Sequence, residues 1–340
     1  MVFHSCHRTI KKMVVLILIC SFLSLIVSCS GGTKKDQLEK IEFVLDWAPN
    51  TNHTGLYAAR ELGYFEEEGV DVTIQLPPED SSTALVGSGK AQFGIGFQDS
   101  LAAALSSDHP LPVVAVAAVL QHNTSGIVSK KGNGIDRPKG LENKDYATWN
   151  LPIEQAMLKY VVEKDGGNFS KVHLVPNLVT DVVSALSTNI DAVNIFYGWD
   201  GIAAKVKELQ IDFFLFKDLN EAFDYYTPVI VANEAYTKEH PQTVKRFLRA
   251  LSKGYQYAIE YPDAAAEILL KESPELDREI VLESQKWLTD QYQADAPYWG
   301  VIDRDRWNAF YSWLYEEKLI SIRLEDKGFT NDFLEVGARE

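Results

Sequence analysis

The body of this 340-residue chain lacks cysteine, which excludes several kinds of site. The three cysteines are Cys6, Cys20 and Cys29, all near the N-terminus. The residues after Cys29 therefore have no disulfide framework, no thiolate nucleophile and no cysteine-based metal site. The seven histidines are scattered without the spacing of metal ligands, and no GxSxG nucleophile elbow occurs. We predict neither a metal nor another cofactor.

Positive charge is also scarce. The chain has 33 Lys and Arg against 48 Asp and Glu, which gives a formal charge of −15. So acidic a protein cannot neutralise phosphates, and this excludes nucleic acid as a partner. The segment GSGK at 87–90 is not a phosphate loop either, because Lys90 is followed by Ala91 and Ala84 stands where the Walker pattern has its first glycine. We interpret GSGK as a turn.

The N-terminus combines a basic stretch with an apolar run. HRTIKK at 7–12 precedes fifteen mostly apolar residues at 13–27, fewer than the roughly 20 that a transmembrane helix needs. The pattern predicts a signal peptide at 1–28. The run ends in IVSC at 26–29, which resembles a bacterial lipobox, where the cysteine becomes the acylated first residue of the mature chain. The alternative is an ordinary cleaved signal with an incidental cysteine.

The lipobox interpretation places the mature protein on a membrane. We expect Cys29 to carry the lipid and residues 29–39 to form a flexible tether. Removal of a leader with three basic and no acidic residues takes the formal charge from −15 to −18. An acyl chain such as palmitate, and not a basic patch, would therefore hold the protein at the extracytoplasmic face of the cell membrane.

The rest of the chain is longer than one hydrophobic core usually organises, and it alternates between strand-like and helix-like segments. IEFVLDW at 41–47 is typical of a buried strand, and GLYAARELGYFEEEG at 55–69 of a helix. The alternation of strand-like and helix-like segments begins again after a loop at 129–140 that is rich in Gly and Lys. A helix is expected from Pro152 to Lys164. Alternating elements of this kind predict an α/β fold.

Two apolar segments, TSGIVS and TPVIVA, read as crossings between two lobes. We predict a hinged clamshell in which lobe I comprises 40–128 and 227–335, and lobe II comprises 129–226. The last part of the chain is nearly all helical, with aromatic residues at helical spacing in 286–320. Core packing explains these aromatic residues better than a second site.

The stretch DWAPNTNHTG at 46–55 concentrates polar side chains directly after the first strand. Ligands of open α/β sheets bind outside the carboxyl ends of strands, which is where this stretch falls. Pro49 fixes the backbone, while Asn50, Asn52 and Thr54 can either cap the following helix or present donors to a ligand. A well-capped turn without a ligand remains the alternative.

Three segments carry a family resemblance. LDWAPNTNHTGLYAARELGYFEEEGVDV, LVGSGKAQFGIG and FYGWDGI resemble the family of solute-binding proteins and enzymes built around thiamin-pyrimidine precursors, over about 41–319. The resemblance implies a periplasmic-binding-protein fold of the second type. For lipoprotein members it also implies delivery of a formylaminopyrimidine or hydroxymethylpyrimidine precursor to the permease of an ABC importer. Related branches bind riboflavin, aliphatic sulfonates or nitrate.

The residue types near the expected strand ends suit such a ligand. An aminopyrimidine is flat and edged with donors and acceptors, so it calls for aromatic faces and carboxylates. The aromatic candidates are Trp47, Phe97, Trp149, Tyr197 and Trp199, the acidic ones are Asp46 and Asp200, and the other polar ones are Asn50, Asn52, His53, Gln98, Ser100 and Asn150. Core packing is the alternative for the aromatic residues, and a helix cap or ion pair for Asp46. No Arg is among them, which disfavours a sulfonate or nitrate.

Catalysis is the competing class of function. Fungal members of the family are synthases that consume a lysine-bound pyridoxal cofactor and one of their own histidines. The matching positions here are Gly96 and Ser100, and the Cys-rich motif of those enzymes is missing. An anchored hydrolase or synthase would need a nucleophile beside Asp46 or Asp200, and none is evident. We therefore predict a binding protein without enzymatic activity, acting as a monomer.

Overall fold

The computed structural model describes residues 38–77, 81–176 and 179–335, and in them two mixed sheets dominate the fold. The strands are β1 (Glu39–Val44), β2 (Val70–Gln75), β3 (Phe93–Gly96), β4 (Val113–Ala118), β5 (Ser125–Lys130), β6 (Asp145–Thr148), β7 (His173–Pro176), β8 (Ala192–Phe196), β9 (Ile211–Leu215) and β10 (Val229–Asn233). The first sheet has the order β2-β1-β3-β10-β4, and the second β7-β6-β8-β5-β9.

The two sheets share one topology. In the first, β1 runs parallel to β2 and β3, while β10 runs antiparallel between β3 and β4. In the second, β6 runs parallel to β7 and β8, while β5 runs antiparallel between β8 and β9. The chain crosses between the sheets twice, once before β5 and once before β10. The predicted α/β fold with two crossings is confirmed.

The second sheet begins earlier in the chain than the predicted boundary at residue 129. Ser125–Lys130 pairs with both β8 and β9, so 125–128 belong to the second sheet and not to lobe I. The segment TSGIVS is therefore mostly a strand, and the crossing precedes it. Apolar composition alone could not separate the two, because a buried crossing and a buried strand contain the same residue types.

The helices flank these sheets. They are α1 (Thr54–Glu61), α2 (Tyr64–Glu67), α3 (Ser82–Gly87), α4 (Gln98–Ser106), α5 (Pro152–Lys164), α6 (Val182–Leu186), α7 (Ile202–Val206), α8 (Phe216–Leu219), α9 (Glu234–Glu239), α10 (Pro241–Glu260), α11 (Pro262–Glu272), α12 (Arg278–Tyr292) and α13 (Arg304–Glu316). None of the helices in the described ranges is long and apolar enough to cross a membrane.

The helix predicted from Pro152 to Lys164 is confirmed at both ends. The single helix predicted at 55–69 is wrong, because Gly63 adopts a left-handed φ of 78° and separates α1 from α2. GSGK is a turn as predicted, since α3 ends at Gly87 and β3 begins at Phe93. Trp307, Phe310, Tyr311 and Leu314 of the C-terminal region are all buried, which confirms their assignment to the core.

The two crossings are tied to each other by Asp224. Its carboxylate accepts a hydrogen bond from the backbone N–H of Asn123 at 2.9 Å and contacts His122 Nδ1 at 2.6 Å. Arg306 Nε, from α13, lies 3.5 Å from the same carboxylate. The segment before β5 and the segment before β10 are therefore held together at the hinge, and a helix of the first lobe braces them.

Helix α10 packs unusually closely against α1. A Cβ at Gly254 would overlap the carbonyl oxygen of Gly55 and lie 2.8 Å from Ala59 Cβ. The next residue, Tyr255, donates its hydroxyl to the carbonyl of Asn52 at 2.7 Å and stacks on Trp299 with ring centroids 4.3 Å apart. This contact therefore positions the loop that follows β1.

Gly254→Ala should destabilise the protein by at least about 1–3 kcal/mol, because the added methyl group forces α10 away from α1. Urea unfolding followed by circular dichroism measures this change. Ser252→Ala on the same helix is the matched control, since helix propensity there favours alanine and no comparable overlap arises. Equal stability of the Gly254→Ala variant and the wild type would show that the helices separate at no cost.

Candidate functional site

The carboxyl ends of strands from both sheets meet, and we call the region between them the cleft. Phe97 follows β3 in the first lobe, and its ring lies 6.2 Å from that of Phe196 at the end of β8 in the second. Phe196 in turn lies 6.4 Å from Trp149, which follows β6. Interplanar angles of 19° and 27° make these three rings a nearly parallel row. We call Phe97, Phe196 and Trp149 the aromatic row.

Phe196 was missed by the sequence analysis, although it is the middle ring of the row. It lies two residues after Asn194 and next to the buried Ile195, so strand alternation turns its side chain away from the face of Ile195. That alternation, together with its position as the last residue of a strand, is the signal that could have identified it.

The other predicted aromatic residues have different surroundings. Trp47 follows β1 and is 49% exposed, which makes it one of the few large apolar side chains open to solvent. Tyr197 packs between Phe213 at 5.1 Å and Trp287 at 5.2 Å. Trp199 packs against the main core of the first lobe. Trp47 is therefore largely free of neighbours, while Tyr197 and Trp199 are half-buried against other side chains, and their ligand roles stay a prediction.

Many polar groups of the loop DWAPNTNHTG form hydrogen bonds with one another. The N–H of Asn50 donates to His53 Nδ1 at 3.2 Å, and the Asn50 side chain accepts from the N–H of Asn52 at 2.9 Å, which forms a capping box. Because Nδ1 accepts, Nε2 must carry the proton that His53 donates to Asp46 Oδ1 at 2.7 Å. Asn50 and His53 are buried and support the loop, which leaves the half-buried Asn52 facing outward.

The polar residues after β3 and β6 divide in the same way. Gln98 is fully buried, and it donates to the carbonyl of Trp307 at 2.8 Å and accepts from the N–H of Tyr226 at 2.9 Å. Both ends of its amide are thus engaged, so Gln98 leaves the candidate set. Ser100 and Asn150 are exposed, and Asn150 accepts from Gln155 at 3.0 Å.

Three carboxyl groups of this region have raised pKa values. Burial raises the pKa of Asp200 to about 6, and the nearby Asp181 adds to the effect. Burial also raises the pKa of Asp99 and of Glu154, although each accepts hydrogen bonds. Among the described residues, none of these three carboxyls forms an ion pair with a basic side chain. Only Asp200 was named by the sequence analysis.

A model of the NMT1/THI5-like family matches residues 50–265, well over half of the chain. The chain belongs to the NMT1/THI5-like family. This match covers the loop after β1 from Asn50 onward, the aromatic row and the three carboxyls. It agrees with the resemblance carried by the DWAPNTNHTG and FYGWDGI segments.

Members of the family differ in function. A formylaminopyrimidine-binding protein of Halalkalibacterium halodurans is 32% identical over 316 residues, which cover 89% of this chain and 92% of that protein. A 4-amino-5-hydroxymethyl-2-methylpyrimidine phosphate synthase of Saccharomyces cerevisiae is 24% identical over 265 residues, which cover 71% of this chain and 74% of the synthase. The family therefore includes both a binding protein and an enzyme.

The solved structures agree on the fold. The periplasmic aliphatic sulphonate binding protein of Escherichia coli superimposes with a TM-score of 0.65 and 13% identity, covering 87% of this chain and 99% of that one. The predicted periplasmic-binding-protein fold is thus confirmed. At this identity the likeness carries no information about the ligand.

The raised pKa of Asp200 predicts a pH-dependent gain in stability for Asp200→Asn. Ionising this carboxyl in the folded protein costs on the order of 3 kcal/mol, because its pKa rises from 3.8 to about 6. The free energy of unfolding of the wild type decreases as pH rises between those values, because the folded protein must ionise Asp200. The variant has no carboxyl at this position and does not lose this stability. We expect a gain of about 1–3 kcal/mol at pH 8 and almost none at pH 4.

Urea unfolding at both pH values measures the difference between Asp200→Asn and the wild type. Asp71→Asn is the control, because Asp71 is an exposed acid on β2 and its replacement changes the net charge by the same amount. An equal gain for Asp200→Asn at pH 4 and pH 8 would contradict the assignment of the raised pKa to this carboxyl.

Proposed function

We propose that this protein is the extracytoplasmic solute-binding lipoprotein of an ABC importer. Its ligand is a thiamin pyrimidine precursor of the formylaminopyrimidine or hydroxymethylpyrimidine type, captured when the lobes close. The observation that carries the proposal is the aromatic row, which joins Phe97 of the first lobe to Phe196 and Trp149 of the second. A flat ligand placed against it touches both lobes and so favours the closed state.

The chemistry of the cleft supports a heterocycle with N–H groups. Aromatic faces provide stacking, and carboxyl groups without basic partners provide acceptors for an amine. The 32% identity to a formylaminopyrimidine-binding protein, over nearly the full length of both chains, supports the same ligand class. A sulfonate would meet Asp46, Asp99 and Asp200 without a compensating cation, which argues against that branch of the fold.

Binding is better supported than catalysis. The synthases of the family are enzymes, but Gly96 and Ser100 hold the positions at which the resemblance expects their cofactor lysine and histidine. Within the described ranges, no group of three or more His, Cys, Asp and Glu is arranged to hold a metal ion. The hydroxyl beside the cleft acids is Ser100 Oγ, 3.3 Å from Asp99 Oδ1, and the described hydrogen bonds give it no histidine or lysine that could activate it as a nucleophile.

The membrane part of the proposal rests on the N-terminal sequence. Cys29 and the rest of the predicted signal peptide and tether up to Gln37 lie outside the described residues. The basic stretch, the apolar run and the lipobox-like IVSC support export and acylation at Cys29. An acylated binding protein held at the membrane surface would stay close to the permease that receives its ligand.

Titration of the soluble domain should reveal the ligand. A chain beginning after Cys29 should be stabilised by formylaminopyrimidine or 4-amino-5-hydroxymethyl-2-methylpyrimidine, by roughly 2.7 kcal/mol at a ligand concentration 100 times the dissociation constant. Thermal unfolding measures this shift. Trp47→Ala and Trp149→Ala should each weaken binding at least about tenfold, because each removes an aromatic face.

Tyr261→Ala is the matched control for Trp47→Ala, since Tyr261 is equally exposed at 49% and lies on a different helix junction. It should leave the affinity unchanged. A shift with riboflavin or taurine but with neither pyrimidine would retain a binding protein of this fold and refute the pyrimidine assignment.

Cys29→Ser should release the protein from membranes, because a single serine hydroxyl cannot receive the thioether-linked lipid. Expression of the full chain in a bacterium with labelled palmitate, followed by fractionation, measures both lipid incorporation and location. Cys20→Ser is the control, since Cys20 lies inside the apolar run. Equal membrane retention of both variants would refute the lipid anchor.

A further inference from the structure

A buried hydroxyl group lies beside the aromatic row without a hydrogen-bond partner. In the antiparallel pairing of β5 with β8, Ser125 is directly opposite Phe196. Residues opposite each other on antiparallel strands project from the same face of the sheet. Ser125 is only 1% exposed, and its Oγ has no partner among the described residues. A buried polar atom of this kind costs free energy unless something completes its hydrogen bonds.

Two further polar groups extend from Ser125, since Tyr225 lies beside it and Asp99 lies near Tyr225. The ring of Tyr225 stacks on Phe310 with centroids 4.1 Å apart, and its hydroxyl lies close to the side chains of Ser125 and Asn123 without forming a hydrogen bond of normal geometry to either. The carboxyl of Asp99, two residues after Phe97, acts electrostatically on the same hydroxyl. Asp99 Oδ1 accepts from the N–H of Ser100 at 2.7 Å and from its Oγ at 3.3 Å. The polar cluster therefore lies at the Phe97 end of the aromatic row.

Further acceptor oxygens lie toward the second lobe. Asn194 precedes Phe196 by two residues on the same face of β8, and its buried Oδ1 has no partner among the described residues. Glu154 of α5 accepts from Thr148 Oγ1 at 2.8 Å and from the Tyr146 hydroxyl at 3.2 Å. The unused capacity is thus in Ser125, Asp99 and Asn194, and it consists mainly of acceptor oxygens.

No basic side chain balances this group. Within the described ranges, neither Asp99 nor Glu154 forms an ion pair, although many surface acids of the protein do. Burial raises the pKa of Asp99, as expected for a carboxyl that lacks a cation. An anionic ligand would be repelled by these carboxyl groups, whereas a ligand with N–H groups would donate hydrogen bonds to the acceptor oxygens that lack a partner.

We propose that Asp99, Ser125 and Tyr225 form a polar subsite at the floor of the cleft, which binds the amino-bearing edge of a flat heterocycle and rejects its phosphate ester. The inference rests on the proposed function and deepens it, because it specifies an unphosphorylated amino heterocycle. The aromatic row stacks on the ring of the ligand, and the subsite discriminates between ligands by the substituents on that ring. Specificity arises because an edge without N–H donors leaves buried acceptors unpaired.

Calorimetric titration tests this subsite with 4-amino-5-hydroxymethyl-2-methylpyrimidine and its phosphate ester as probes. The wild type should prefer the unphosphorylated compound by at least about a hundredfold. Asp99→Asn and Ser125→Ala should each weaken its binding by roughly tenfold to a hundredfold, the usual effect of removing a hydrogen bond to a buried group. Asp99→Asn should also narrow the preference over the phosphate ester, which a merely structural role would not do.

Asp108→Asn is the matched control, because it removes the same charge at an exposed position after the same helix, α4. It should change neither affinity nor preference. Thermal unfolding of each variant without ligand separates lost binding from lost folding. Asp99→Asn should fold at least as well as the wild type, since it removes a half-buried carboxyl that has no cationic partner among the described residues.

The possible outcomes separate the subsite from the proposed function. If the pyrimidine binds the wild type and both variants equally, the subsite is wrong and the proposed function stands. Equal affinity of the wild type for the phosphate ester also overturns the subsite. If neither thiamin precursor binds, the proposed function is wrong, and cytosine against uracil and adenine against hypoxanthine become the probes. A preference for the amino compounds that is lost in Asp99→Asn then supports the subsite, and no preference refutes it.

Discussion

The architecture depends on a strand that arrives late in the chain. Strand β10 completes the first sheet between β3 and β4, yet the chain reaches it only after building the whole second sheet. The two crossings must therefore run side by side, and Asp224 ties them through Asn123 and His122. This constraint turns the carboxyl ends of β3 and β8 toward each other, which is why the rings of Phe97 and Phe196 can meet.

The cleft that results has a definite electrostatic character. Its aromatic surfaces come from both lobes, while the half-buried Asp99 and Asp200 and the buried Glu154 have no basic partners in the described part of the chain. Burial of an unpaired acid is costly, so the arrangement is maintained at the expense of stability. Such a loss of stability at a cleft is typical of a binding site, where the ligand supplies the hydrogen-bond partners that the carboxyl groups lack in the protein alone.

The C-terminal helices connect the two halves of the cleft. Ser284 of α12 contacts Thr51 of the loop after β1, with the two hydroxyl oxygens 2.5 Å apart, and donates to the carbonyl of Gly198 in the second lobe. Trp287 of the same helix packs on Tyr197 at 5.2 Å. Helix α12 therefore contacts both the loop after β1 and the segment after β8.

The amino-acid sequence by itself determined the alternation of strands and helices, the bounds of α5 and the polar loop after β1, since these follow from local periodicity and capping. It also carried the family resemblance. Tertiary structure alone decided which polar side chains remain free. The Gln98 amide forms hydrogen bonds with the backbone of Trp307 and Tyr226, and the two ring nitrogens of His53 form hydrogen bonds with Asp46 and Asn50. Hydrogen-bond partners of this kind cannot be recognised in the sequence, whereas the periodicity of a helix can.

The same limit applies to the residues that the sequence analysis missed. Ser125 lies 71 positions before Phe196 in the chain, and only the register of β5 against β8 makes them neighbours. Asp99 lies between two predicted site residues, but only the tertiary structure shows that it lies near Tyr225, which distinguishes it from other acids of the chain. Residue types and local spacing thus determined the class of site, while long-range pairing and burial decided which atoms it presents, because both depend on contacts between distant parts of the chain.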